Sequence, residues 1–109
     1  MTNYLFIESR DPFESRDTRF VAETAVALQG RGHEVTVFLV QNGVFAARGE
    51  AHNSYLPLLI EAGVSLLADD FSLRERGIAA AELRRGVRPS DIGALVEMLA
   101  RSGTKAVWH

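Results

Sequence analysis

Glu34-Val35-Thr36-Val37-Phe38-Leu39-Val40, entered through Gly32-His33 and left through Gln41-Asn42-Gly43, is the stretch that decides the fold. It is rich in β-branched and aromatic residues, which suit a pleated surface. It is also nearly continuous in apolar character, whereas a strand with one wet face alternates. The run therefore reads as an interior strand with both faces covered. Tyr4-Leu5-Phe6-Ile7 reads the same way upstream. Downstream, Val64-Ser65-Leu66-Leu67-Ala68 lies between Gly63 and Asp69-Asp70, and Thr104-Lys105-Ala106-Val107-Trp108 gives a last strand.

Helical spacing fills the intervals. Phe20, Val21, Thr24, Ala25 and Leu28 recur on one face, with Asp17 near the start and Gly30 and Gly32 at the stop. Tyr55, Leu56, Leu59 and Ile60 form a shorter face ended by Gly63, with Pro57 in the first turns, where a missing N–H is tolerated. Ile92, Leu95, Val96 and Leu99 make the clearest stripe, entered through Pro89-Ser90-Asp91 and stopped by Gly103. Alternating strands and helices imply right-handed crossovers and a mainly parallel sheet. The expected architecture is a single three-layer α/β domain over residues 1–109, Rossmann-like, with four to five strands. Phe6, Val37, Phe38, Leu66, Leu95 and Leu99 are the predicted core. Residues 71–88, where Leu73 to Gly77 and Ile78 to Arg85 could each form a helical turn, are predicted from their low apolar content to be a surface excursion.

Composition narrows the function. The chain has 109 residues, 47% of them hydrophobic and 24% charged, which is ordinary globular usage and excludes wholesale disorder. The net charge of −2 provides no broad basic field for nucleic acid or an anionic membrane. No apolar run is long enough to cross a bilayer. Met1-Thr2-Asn3 offers no basic region for a signal peptide, which favours the cytoplasm. There is no cysteine, so disulfides, zinc–thiolate sites and thiol or persulfide chemistry on this chain are excluded.

Ligands of open α/β sheets collect outside the carboxyl ends of the strands. That rule selects Glu8-Ser9-Arg10-Asp11, Gln41-Asn42-Gly43, Asp69-Asp70 and His109. Gln41-Asn42-Gly43 precedes a helical segment, Val44 to Arg48, and can point backbone N–H groups at an anion; Asn-Gly is equally a common turn. Asp69 and Asp70 could hold a hard cation with Glu8 or Asp11, but the acids and lysine of a phospho-acceptor receiver are missing. Asp70 reads more simply as the N-cap of a turn at Phe71-Ser72. His33 reads as a turn residue and His52 as part of a helix cap. With His109 they show no metal-ligand spacing, and no dinucleotide fingerprint or nucleophile elbow is present. No metal, cofactor or catalytic residue is expected.

Tyr4 to Ser15, Gly32 to Val44, Leu73-Arg74-Glu75-Arg76-Gly77-Ile78 and Lys105-Ala106-Val107-Trp108-His109 together resemble the DsrE/DsrF/TusD family of small sulfur-relay proteins. The resemblance spans nearly the whole chain. Its relay members hold a cysteine eight residues before the glycine of the Arg-Gly step, and counting back from Gly77 lands on Asp69. A carboxylate cannot carry sulfane sulfur. The resemblance thus implies the fold and the habit of assembling as homo-oligomers or with paralogous subunits, without the catalytic step.

Ser9, Arg10, Gln41, Asn42, Gly43, Asp69, Asp70 and Arg76 are the candidate ligand-pocket residues. The expected role is a non-catalytic subunit or binding module in sulfur transfer, with a sulfur-carrier protein as a possible partner. The alternative is a stand-alone binder of a small ligand or anion at the strand ends; carboxylate catalysis at Asp69 is a third reading. A trimer or hexamer is expected ahead of a dimer. In residues 71–88, Phe71, Leu73, Ile78, Leu83 and Val87 lie among Arg74, Arg76, Arg84, Arg85 and Arg88, the mixture found in protein–protein contacts.

Overall fold

A computed structural model describes residues 2–51 and 54–109, so His52 lies outside the described residues. Chain order is β1 (Asn3–Glu8), α1 (Asp17–Gly30), β2 (Glu34–Leu39), a 3-10 segment (Gln41–Ala47), α2 (Leu56–Ala62), β3 (Ser65–Asp69), α3 (Asp70–Glu75), a second 3-10 turn (Ala80–Glu82), β4 (Val87–Ser90), α4 (Ile92–Ala100) and β5 (Thr104–Trp108). The strands form one five-stranded sheet in the order β4-β3-β2-β1-β5, and every pairing is parallel. Phe6, Val37, Leu66 and Val87 stand side by side across four strands.

That row faces α1 and α2, which bury Ala22, Ala25, Leu56 and Leu59 against it. Leu5, Ile7, Phe38 and Val40 face the other way, where Leu95 of α4 covers them. Three layers result, as the sequence predicts. Gly63 closes α2 with φ at +84°, a conformation that costs glycine little.

Four expectations change. Phe20 is 71% exposed; of the predicted face Ala25 is buried, joined by Thr18 and Ala22, because small side chains let the helix lie close to the sheet. On α4 only Leu95 is buried; Leu99 is 45% exposed, and Ile92 and Val96 also face outward. A lone helix over that face touches the sheet along one line, so most of its apolar stripe has no partner within the domain. Residues 71–88 are not a surface excursion. They contain α3 and the edge strand β4, and they bury Leu73, Ile78 and Val87 in the core. Pro89 fits there, because an edge strand can dispense with one donor. Finally, the N-cap of α3 is Asp69, not Asp70.

Candidate functional site

At the carboxyl end of β3, Asp69 is buried and accepts two hydrogen bonds on Oδ2. One comes from the Ser72 N–H at 3.0 Å, the other from the Ser72 hydroxyl at 2.6 Å. The spacing Asp-x-x-Ser puts the hydroxyl one turn along, where it can serve the cap and reach outward. Ser72 Oγ also accepts from the Gln41 N–H at 2.8 Å, joining the loop after β2 to the end of β3. Gln41 takes a left-handed φ of 50°, and this bond holds it there. Arg76, at the end of α3, donates from Nε to Asn42 Oδ1 at 3.1 Å and from its guanidinium to the Ser72 carbonyl at 3.3 Å.

These residues line a cavity of about 450 Å³. Gln41, Asn42, Asp69, Ser72, Glu75 and Arg76 form its polar side, and Phe71, Ile92, Leu95 and Trp108 its apolar side. Its carboxylate cap is already occupied. The free polar edges are the Asn42 and Gln41 amides, the Glu75 carboxylate and Nη2 of Arg76. Such a set suits contact with a polar group or a protein surface.

Of the eight candidate residues, Gln41, Asn42, Asp69 and Arg76 therefore converge. The others lie elsewhere. Asp70 pairs with Arg74 on the surface of α3 at 3.6 Å, a weak exposed contact. Gly43 is buried against the Glu8 carbonyl, where any side chain would collide with backbone, so its lack of a Cβ serves close packing. Ser9 and Arg10 belong to the end of β1. The Ser9 hydroxyl donates to the His109 carbonyl at 2.8 Å, and the Arg10 N–H donates to Glu8 Oε2 at 3.0 Å.

A second polar centre sits at that end. Glu8 is fully buried, and its carboxylate meets His109 Nδ1 at 2.8 Å and 3.0 Å. Burial pushes the Glu8 carboxyl above its ordinary range, and the hydrogen bonds from Arg10 and His109, with the His109 charge, only partly oppose this. His109 is anchored, since its backbone also pairs with Ile7 and Ser9. Sequence reading did not find Ser72 as a partner of Asp69, although the capping spacing was visible. It places Glu8 and His109 separately at strand ends, with Glu8 as a cation ligand, and does not pair them. Among the described residues, no group of three or more His, Asp or Glu side chains is placed to hold a metal ion. No described helix is long and apolar enough to cross a membrane.

The sequence matches the DsrE/DsrF-like family over residues 2–106. Among solved structures, the YchN protein from E. coli superposes with a TM-score of 0.80 at 20% identity, covering 98% of this chain and 100% of that one. A protein of unknown function from Methanobacterium thermoautotrophicum, MTH1491, superposes with a TM-score of 0.81 at 20% identity and full coverage of both chains. At that identity the likeness concerns the fold. No curated protein matches the sequence.

Proposed function

The chain belongs to the DsrE/DsrF-like family, and we propose that within it the protein is a non-catalytic subunit or docking module associated with sulfur transfer. The observation that carries this reading is the state of Asp69. It stands where the relay members hold their cysteine, and its carboxylate is committed to capping α3 through Ser72. With no thiol anywhere in the sequence, the chain has no atom to accept a persulfide sulfur. What it offers a partner is shape: the polar pocket of Asn42 and Arg76 beside the apolar rim of Phe71, Ile92 and Trp108. Self-assembly, or assembly with paralogous subunits, uses the adjoining outward face of α4.

The test is to incubate the protein with a persulfidated rhodanese and with a persulfide-bearing member of the same family. The expected result is a complex with the family member and no gain of a sulfur atom in the intact mass. A covalent gain of sulfur overturns the reading, and so does the absence of any complex.

A second reading, a stand-alone binder of small anions, is favoured by the size of the cavity and by Nη2 of Arg76, the one guanidinium nitrogen its two hydrogen bonds leave free. Thermal stabilisation by thiosulfate or phosphate without any partner, lost in Arg76→Gln, would support it over the first.

A further inference from the structure

A larger cavity of about 610 Å³ lies in the loops following β1 and β2. It shares no lining residue with the Asp69 pocket. Its walls include Pro12, Phe13, Phe45, Ala46 and Ala51, and its charged groups are Arg48, Asp11 and Glu50. Arg48 is held rigidly. Its Nε donates to the Phe45 carbonyl at 3.0 Å, and its guanidinium carbon lies 5.1 Å from the centre of the Phe45 ring. The two terminal nitrogens are engaged with no acceptor among the described residues, and Arg48 forms an ion pair with neither carboxylate there. Asp11 is fixed too, with Oδ1 accepting from the Phe13 N–H at 3.0 Å. That turn presents the Phe13 ring, 80% exposed, at the edge of the cavity.

Among the described residues, one cation and two carboxylates stay apart across this apolar-walled cavity, an arrangement that complements a ligand bearing both charges. We propose that this cavity binds a small zwitterion, an α-amino acid with an apolar side chain. Its carboxylate sits on the open fork of Arg48, where planar bidentate pairing is favoured. Its ammonium lies toward Asp11 and Glu50, and its side chain lies against Pro12 and Phe13. A simple anion would meet the two carboxylates unopposed, and a simple cation would meet Arg48. The volume falls in the range of small-molecule sites, at the strand ends where such sites collect in α/β sheets.

Isothermal titration with three probes tests this: L-phenylalanine, 3-phenylpropionate, which lacks the ammonium, and phenethylamine, which lacks the carboxylate. L-phenylalanine is expected to bind at least roughly tenfold more tightly than either, the scale of one charge-assisted contact. Arg48→Gln should remove that advantage over phenethylamine. Asp11→Asn, which keeps the acceptor for Phe13, should weaken L-phenylalanine and leave 3-phenylpropionate unchanged or tighter. Circular dichroism establishes that both variants fold. No heat with any probe, equal affinity for all three, or wild-type binding by Arg48→Gln would overturn the proposal. So would a fall in the mass of the ligand-free protein on Phe13→Ala, which would make the cavity a protein contact.

Discussion

Glu8 Oε2 and His109 Nδ1 lie 2.8 Å apart although 101 residues separate them in the chain. Strand order brings them together: β1 pairs with β5 in parallel, so their carboxyl ends meet, with Ile7 beside Trp108. The connection from β1 leads toward β2 on one side, while β5 arrives on the other. The pair therefore stands where the strand order reverses, the place at which open α/β sheets leave a crevice.

Glu8 ties stability to pH. Its buried carboxyl binds a proton more tightly in the folded protein than in the unfolded chain, where the ordinary value is 4.5. A group with a raised folded pKa stabilises fully below the unfolded value, and that contribution is lost as pH rises through the folded value. Glu8→Gln removes the titration and keeps an acceptor for both Arg10 and His109. Urea midpoints taken from about pH 4 to about pH 7 should shift in favour of the variant as pH rises. A gap that moves the other way would mean His109 holds Glu8 charged.

The two leucines of α4 should behave differently. Leu95 is buried against Leu5, Ile7 and Phe38, so Leu95→Ala should cost about 2–5 kcal/mol, the range for a packed leucine. Leu99 is half exposed, and Leu99→Ala should cost under about 1 kcal/mol in the isolated subunit, near the level of surface changes. Equal losses by denaturant unfolding would show that α4 packs through its whole stripe.

Asp69 should act as a cap rather than a reactive group. Asp69→Ala removes the acceptor for Ser72 and should cost about 0.5–2 kcal/mol, whereas Asp69→Asn should stay close to wild type. Asp69→Cys should yield a thiol that is alkylated without unfolding, because the residue lines an open cavity. A thiol that reacts only in denaturant would remove the alignment with the family cysteine.

The order in which these features became legible has physical reasons. β2 could be read directly, because a strand covered on both faces leaves a continuous apolar run. β4 could not: Val87-Arg88-Pro89-Ser90 buries a single side chain and carries a proline, so it lacks the pattern of an interior strand. On α1 the apolar spacing includes both Phe20 and Ala25, while packing distance selects Ala25 with Ala22 and leaves Phe20 outside. The Asp69, Asn42 and Arg76 grouping follows from strand-end geometry and family spacing, both readable in one dimension. The Glu8–His109 pair depends on β5 crossing to the far side of β1, which chain order alone does not reveal.

The contact face of an assembly should centre on α4, with Phe71 the one large exposed apolar group that residues 71–88 add to it. The apolar and arginine mixture of that segment suggests an interface, yet Leu73, Ile78 and Val87 are in the core and Leu83 packs against it. The large apolar side chains left exposed include Phe71, Ile92, Val96, Leu99 and Trp108, the last 62% exposed. They lie on α3, α4 and β5, beside a sheet face that only one helix covers. An apolar patch of this kind, bordered by Arg74 and Arg76, has the composition of a protein contact. β5 adds an exposed sheet edge guarded mainly by Lys105, so the same surface offers unpaired backbone groups. Light scattering across a dilution series should give a mass of several chains, a trimer or hexamer ahead of a dimer. Val96→Asp should lower it with the circular dichroism spectrum unchanged, since Val96 touches no core. Leu83→Asp should instead destabilise the fold, because its side chain packs against the core on the α1 and α2 side of the sheet. A single-chain mass at every concentration would remove self-assembly, and a mass unaffected by Val96→Asp would move the contact off this face.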